Sequence, residues 1–198
     1  MTTHTQKQIN KEKLLNQGVM LLMQQGYHGT GLKEILDAVQ IPKGSFYNYF
    51  GSKENFGAEV IQHYIEPFIE QLNSHLQNPY TDALTALRRY FNESILELEN
   101  TDFKSGCLLG NLMGELGSSN ELCRLALQDT LNRYRNLLAT GLAKAQQEGS
   151  VRDDKTAIEL ADLLLNTWQG ALLRMKIDKS AAPLRQCCQD LLNDFFKA

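Results

Sequence analysis

Five residues near position 45 form a set that is suited to contacting DNA. They are Lys43, Gly44, Ser45, Tyr47 and Asn48. A cation, a hydroxyl, a phenol and an amide can hydrogen-bond to base edges and to phosphate oxygens, the two kinds of contact that proteins make with duplex DNA. The set therefore predicts binding of a nucleic acid.

Two short helices around a tight turn must hold this set in place. The first is predicted over 32–39, where apolar residues recur with the spacing of one helical face. These are Leu32, Ile35, Leu36 and Val39. Pro42 suits the first turn of a second helix over 42–49, because proline lacks an N–H that this turn would leave unpaired. Phe46 and Phe50 can then dock on the first helix, which leaves the DNA-contacting set facing outward, as entry into the major groove requires.

Cys107 is the residue whose chemistry could respond to a small molecule. It is predicted in the first turn of a helix over 107–117, near free N–H groups and the positive end of the helix dipole, and Lys104 is close in sequence. Both features favour the thiolate, which reacts with electrophiles. A buried structural cysteine is the alternative. Cys123 is predicted in the core, and of the neighbours Cys187 and Cys188 one is predicted to pack and one to be partly exposed.

A ligand pocket is predicted among large apolar residues of the second part of the chain. The indole N–H of Trp168 needs a partner, and Lys176 adds positive charge to the same helix, so an anionic or carbonyl-bearing ligand could be held there. The candidate residues are Phe103, Leu108, Leu112, Met113, Trp168 and Lys176. The alternative is that the apolar members are ordinary core and the charges are solvated.

The chain lacks the motifs of an enzyme. It contains no GxSxG, no HExxH and no glycine-rich phosphate loop, and its four histidines have no metal-ligand spacing. We therefore expect no catalysis, no metal and no cofactor. A helical interaction module that does not bind DNA is a further alternative.

The charge distribution is compatible with a nucleic-acid partner although the net charge of the 198 residues is −3. Residues 1–53 hold six lysines against three acids, so the excess of negative charge lies in the rest of the chain. No apolar run is long enough to span a bilayer and the N-terminus lacks an apolar signal segment, so a cytoplasmic protein without a membrane partner is expected.

The apolar periodicity is helical throughout, which predicts an all-α fold of about nine helices: a three-helix helix-turn-helix head on a helical ligand-binding and dimerisation body. They are predicted over 7–25, 32–39, 42–49, 53–77, 80–99, 107–117, 120–147, 154–177 and 181–197. Pro79 is predicted to start the fifth helix and Asp153 to cap the eighth. The head is placed at residues 1–52 and the ligand-sensing and dimerisation part at 53–198.

The last two predicted helices carry apolar stripes wide enough for a four-helix interface between two chains. The stripe residues are Leu160, Leu163, Leu164, Thr167, Ala171, Leu184, Leu191, Leu192 and Phe195. A twofold dimer would place one head on each half-site of its DNA target. We therefore expect a homodimer.

The segment Ile41–Lys53, with the sequence IPKGSFYNYFGSK, strongly resembles the helix-turn-helix of TetR/AcrR-type transcriptional repressors. The resemblance implies that Lys43, Gly44, Ser45 and Tyr47 lie near base edges. It places Asn48, Tyr49 and Lys53 near phosphates, and it allows Lys33 on the preceding helix to touch DNA. The chain departs from the family at two positions. Gln40 stands where the family has a glycine, at a turn position that calls for φ > 0, and Gly31 stands where the family has a hydroxyl-bearing cap.

The segment Gly106–Asn111, GCLLGN, resembles the signature of a TetR subgroup that includes the NemR-like and AcuR-like repressors. Members of that subgroup respond to electrophiles, oxidants or small unsaturated acids. The resemblance implies a repressor that a small electrophile, an oxidant or a small organic ligand releases from its operator. Sensing of a noncovalent apolar or anionic ligand without cysteine chemistry is the alternative. Gly106, Gly110 and Gly114 are spaced by four and are predicted to line one stripe of the helix.

Overall fold

The computed structural model describes residues 5–103 and 106–198, and the all-α prediction is confirmed within these ranges. The helices are α1 Gln6–Gly29, α2 Leu32–Val39, α3 Lys43–Phe50, α4 Lys53–Leu76, α5 Ala83–Asn100, α6 Leu108–Leu116, α7 Glu121–Gln147, α8 Ala157–Asp178 and α9 Ala182–Cys187. A π-helical segment, Cys188–Phe195, continues α9.

The chain forms two compact units. The first contains the residues up to Ile65 together with Leu108–Thr130, and the second contains Glu66–Cys107 and Leu131–Ala198. Helices α4 and α7 each contribute residues to both units. This division describes packing, whereas the predicted boundary at residue 52 separates functions and stays a prediction.

Three phenylalanines hold α3 in the first unit. The rings of Phe46, Phe50 and Phe56 lie 4.9 to 5.2 Å apart, centroid to centroid, and all three are buried. Phe56 belongs to α4, so α3 is fixed to the helix that follows it as well as to α2. Burial of aromatic rings in this way contributes packing and edge-to-face attraction. Phe46 and Phe50 are therefore anchored on Phe56 of α4, and their predicted docking on the first helix of the motif stays a prediction.

The core of the second unit contains two aromatic pairs. The Tyr90 and Tyr134 hydroxyl oxygens lie 2.8 Å apart in a buried hydrogen bond. The ring of Phe91 packs edge-on against Trp168, with 4.8 Å between the centroids. Burial raises the pKa of the Tyr90 hydroxyl to about 12, and the nearby Cys107 sulfur acts in the same direction. These pairs join α5 to α7 and α8.

Several helix ends differ from the prediction. Helix α5 begins at Ala83, because Asp82 caps it by accepting from the Thr85 amide at 2.9 Å, whereas Pro79 lies in the preceding turn. Thr156 caps α8 where Asp153 was predicted. At the C-terminus one predicted helix is replaced by α9 and the π-helical segment.

The predicted glycine stripe is wrong in one respect. Gly106 lies before α6, which begins at Leu108, so only Gly110 and Gly114 lie within that helix. A side chain at Gly106 would overlap the Cε of Lys176, whereas Gly114 has open space beside it. The absence of a side chain is therefore needed at Gly106, where the Lys176 side chain packs, and not at Gly114.

Candidate functional site

The outer face of α3 carries the predicted DNA-contacting set. Lys43, Gly44, Tyr47 and Asn48 are exposed, and Ser45 is half-buried. The Tyr47 side chain remains 46% exposed although it is large and aromatic. The Lys43 ammonium lies 5.9 Å from the centroid of the Tyr47 ring, so a cation and a phenol stand together on one surface. This surface can offer both a charge and hydrogen bonds to DNA.

The turn before α3 has the left-handed backbone that the sequence indicated. Gln40 adopts φ 54° and ψ 39°, and its successor Ile41 donates its N–H to the Leu36 carbonyl at 3.3 Å. A non-glycine residue in this region costs roughly 1 to 2 kcal/mol. Gly31 provides no side-chain hydrogen bond at the start of α2. Both departures from the family pattern therefore have local structural effects, and the α2–α3 geometry forms in spite of them.

Lys33 is exposed on α2, and both Lys33 and Lys43 line a surface cavity of about 450 Å³. The cavity is lined by Leu32, Lys33, Leu36, Asp37, Ile41, Pro42 and Lys43. Two lysines from successive helices thus share one edge of the helix-turn-helix. Tyr49 is half-buried, on the flank of α3.

Lys53 has a partner within the first unit. Its ammonium donates to the Tyr27 carbonyl at 2.9 Å and lies 4.5 Å from the centroid of the Tyr27 ring. The predicted contact of Lys53 with a phosphate would have to use its remaining N–H groups.

Glu115 on α6 makes contacts that its sequence neighbourhood does not predict. Its carboxylate accepts hydrogen bonds from the backbone N–H groups of Tyr27 at 2.8 Å and His28 at 2.6 Å. Both amides follow Gly26, whose φ of 73° and ψ of 178° interrupt the helical path of α1. No local sequence pattern signals this contact, because 87 residues separate Glu115 from its nearer partner.

Cys107 differs from the other cysteines in its exposure. All four cysteines lie in the described part of the chain, and only Cys107 is half-buried, while Cys123, Cys187 and Cys188 are buried. Burial raises the pKa of the Cys123 and Cys187 thiols to about 11 and that of Cys188 to about 12. The core location predicted for Cys123 is therefore confirmed. The prediction that one of the two adjacent cysteines is partly exposed is wrong.

The Cys107 sulfur has a polar neighbour on α8. The side-chain amide of Gln169 donates an N–H to this sulfur at 3.3 Å, and the Gln169 carbonyl oxygen is buried with no hydrogen-bond partner. Cys107 immediately precedes α6. The predicted influence of Lys104 falls outside the described residues.

The predicted pocket residues divide between the two units. Phe103, Trp168 and Lys176 belong to the second unit, where Trp168 is buried against Phe91 and the side chain of Lys176 packs on Gly106. Leu108, Leu112 and Met113 belong to the first unit, where the two leucines are fully buried and Met113 is half-buried. Ligand binding by these six residues stays a prediction.

Within the described ranges, no helix is both long and apolar enough to cross a membrane. Across the same residues, no cluster of three histidine, cysteine or acidic side chains could hold a metal ion.

Two family descriptions match the chain. "Bacterial regulatory proteins, tetR family" matches residues 14–60, and "Tetracyclin repressor-like, C-terminal domain" matches residues 83–191. The first match contains α2 and α3 with the DNA-contacting set. The second covers more than half of the chain and contains Cys107.

Known proteins resemble the chain over nearly its whole length. It is 34% identical to the HTH-type transcriptional repressor DhaR of Mycobacterium sp. (strain GP1) over 176 residues, which are 89% of this chain and 87% of DhaR. The crystal structure of a regulatory protein TetR from Rhodobacter sphaeroides has a TM-score of 0.86 and 30% identity, covering 94% of this chain and 99% of that one. The reduced form of Escherichia coli NemR has a TM-score of 0.84 and 28% identity, covering 95% and 97% of the two chains.

These relatives are regulators and not enzymes, which supports a regulatory role. Regulators of this kind bind DNA operators and small-molecule ligands and act as dimers. The helix-turn-helix geometry, the two family matches and the identity to DhaR agree, and the chain belongs to the TetR family of bacterial transcriptional regulators.

Proposed function

We propose that this TetR-family chain represses transcription by binding an operator through α3, and that a small electrophile or an oxidant releases it by reacting at Cys107. The observation that carries the sensing part is the contrast among the thiols. Three are buried with raised pKa values, whereas Cys107 is half-buried and its sulfur accepts a hydrogen bond from Gln169. Reaction of a cysteine with an electrophile requires that the sulfur can be reached, which burial of the other three thiols prevents. The similarity to NemR, whose solved structure is of a reduced form, also supports thiol chemistry.

The DNA-binding part rests on the face of α3. Lys43, Gly44, Ser45 and Tyr47 are proposed to meet base edges, with Asn48, Tyr49 and Lys53 toward phosphates and Lys33 as an additional contact from α2. Exposed polar groups on a helix that is anchored by buried phenylalanines can enter the major groove without cost to the core. The set is confined to one helix and its neighbour, so one chain would read one half-site.

A homodimer is proposed to bind the two half-sites. Leu160, Leu164 and Ala171 of the predicted stripe are buried within their own unit, so they belong to the core of the protomer. The exposed apolar residues Leu173 and Ile177 also lie on α8, and Ile177 is 81% exposed. Two copies of α8 packed together would cover such residues.

A noncovalent ligand is the second candidate for the inducer. The buried Gln169 carbonyl oxygen has no hydrogen-bond partner, and an unsatisfied buried acceptor is costly unless a donor reaches it. A small ligand with an N–H or O–H group could supply that donor beside Cys107. In this case Phe103, Trp168 and Lys176, which belong to the same unit as Cys107 and Gln169, would contact the ligand.

A single substitution separates the two candidates. Binding to the DNA upstream of the chain's own gene is measured by fluorescence anisotropy before and after treatment with N-ethylmaleimide or hydrogen peroxide. The Cys107→Ser variant should bind this DNA as the wild type does and should no longer be released. Cys123→Ser is the matched control and should still be released. If Cys107→Ser leaves the DNA under the same treatment, the cysteine is not the sensor and the noncovalent candidate takes its place.

A further inference from the structure

The segment Gly26–Thr30, which we name the α1–α2 junction, is held by groups from two other helices. The backbone leaves the helical path at Gly26, so the Tyr27 and His28 amides turn toward α6. One carboxylate serves both amides, with one Glu115 oxygen on each. Hydrogen bonds to a charged acceptor are about twice as strong as neutral ones.

The contact with Glu115 requires a glycine at position 26. Its φ of 73° is in the region that favours glycine, and a Cβ there would lie 2.7 Å from a Glu115 carboxylate oxygen. Any side chain at this position would therefore displace the carboxylate as well as strain the backbone.

A backbone carbonyl of the junction is bound by a residue of α4. The Lys53 ammonium donates to the Tyr27 carbonyl, while the buried Thr30 hydroxyl donates to the Gly26 carbonyl at 2.7 Å. Helix α2 begins two residues after Thr30. The junction thus connects α6 and α4 to the first helix of the helix-turn-helix, all within the first unit.

We propose that Glu115 is the positioning residue through which α6 sets the orientation of the DNA-reading helices. The proposal rests on the proposed function, because α6 begins at the residue after Cys107. Glu115 is the eighth residue of α6, about two helical turns after its first residue, Leu108. A shift of α6 after reaction at Cys107 must carry the junction with it or break both hydrogen bonds. Either outcome changes what holds the start of α2, and α3 packs on α2.

The test compares Glu115→Gln with Glu115→Asp and with the control Glu121→Gln. The glutamine amide can accept from one junction N–H but offers no second acceptor oxygen to the other. Aspartate keeps the charge on a shorter side chain. Glu121 belongs to the same unit and pairs with Arg124 on the surface, away from the junction contacts.

Without any treatment, Glu115→Gln should weaken binding to the upstream DNA by about tenfold, within the usual range for coupling between sites. Glu115→Asp should recover part of that loss, and Glu121→Gln should change the Kd less than about twofold. Thermal unfolding should leave the Tm of Glu115→Gln close to that of the wild type. Hydrogen exchange should accelerate at the Tyr27 and His28 amides in particular.

The second part of the test measures DNA binding and hydrogen exchange after treatment with N-ethylmaleimide. In the wild type the adduct should release DNA and accelerate exchange at the same two amides, whereas in Glu115→Gln it should change the Kd by a smaller factor. The proposal would be overturned if Glu115→Gln bound the upstream DNA with the wild-type Kd and N-ethylmaleimide released it from this DNA as it releases the wild type. If N-ethylmaleimide does not release the wild type from the DNA, the proposal of sensing at Cys107 is wrong. The Kd values of untreated Glu115→Gln and Glu121→Gln then still decide the role of Glu115.

Discussion

The burial of three thiols predicts that N-ethylmaleimide modifies one cysteine per chain at pH 7. A thiol with a pKa of about 11, such as Cys123 or Cys187, is ionised in about one molecule in 10⁴ at this pH, and Cys188 in about one in 10⁵. A free thiol such as N-acetylcysteine, with a pKa near 8.5, is ionised to about 3%. From the thiolate fractions alone, the buried thiols should react about 300 times more slowly than the free thiol, because only the thiolate attacks.

Intact-mass spectrometry with peptide mapping measures this directly. One adduct should form within the time that N-acetylcysteine needs to react, and it should map to Cys107. The Cys107→Ser chain should acquire none, and all four cysteines should be modified in guanidinium chloride. Raising the pH to 9 should accelerate reaction at Cys123 and Cys187 by about a hundredfold, since their thiolate fractions rise tenfold per pH unit. Modification of Cys123 at pH 7 as fast as Cys107 would refute the reasoning.

Four further substitutions test the first unit. Tyr47→Ala and Lys43→Ala should each greatly weaken operator binding with fold and dimer intact by circular dichroism and sedimentation, and near-normal affinity would place the DNA contact elsewhere. Lys53→Ala should weaken binding about equally for all DNA sequences and lower the salt slope by about one; an unchanged slope would limit its role to the Tyr27 carbonyl. Phe46→Ala should destabilise the chain by about 3 to 5 kcal/mol in urea unfolding, as buried phenylalanine losses do, and a change under 1 kcal/mol would show that α3 is anchored otherwise.

The helix-turn-helix was predictable because its signals are local. The spacing of apolar residues over 32–39, the proline at 42 and the two phenylalanines four residues apart all act within one or two helical turns. The left-handed turn at Gln40 also followed from the resemblance. The outward face of α3 then needed no long-range information.

Helix ends were less predictable where two signals competed. Pro79 and Asp82 both suit the start of a helix, and the aspartate forms the cap because its carboxylate reaches the Thr85 amide. The cap of α8 had a clear signal in the sequence, since Thr156 and Glu159 form the reciprocal capping box, a stronger pattern than Asp153 alone.

The contacts of Glu115 and Gln169 could not be predicted from the sequence. Each joins residues that lie far apart in the chain, 62 positions in the case of Gln169 and Cys107. A glutamate in a helix is usually a solvated residue, and nothing in its neighbours indicates that its carboxylate binds two backbone amides. Such partners are fixed by tertiary packing and not by local preference.

The aromatic pair of Phe91 and Trp168 gives the chain an optical reporter. Trp168 is the single tryptophan of the sequence and is buried on α8. The next residue in the chain is Gln169, whose side-chain amide donates to the Cys107 sulfur. The emission of Trp168 is therefore that of one indole in one apolar environment, free of signals from other tryptophans. Because the Cys107 sulfur accepts a hydrogen bond from the residue next to this fluorophore, the kinetics of the proposed reaction at Cys107 can be followed in the unlabelled protein, with no dye attached and no DNA present.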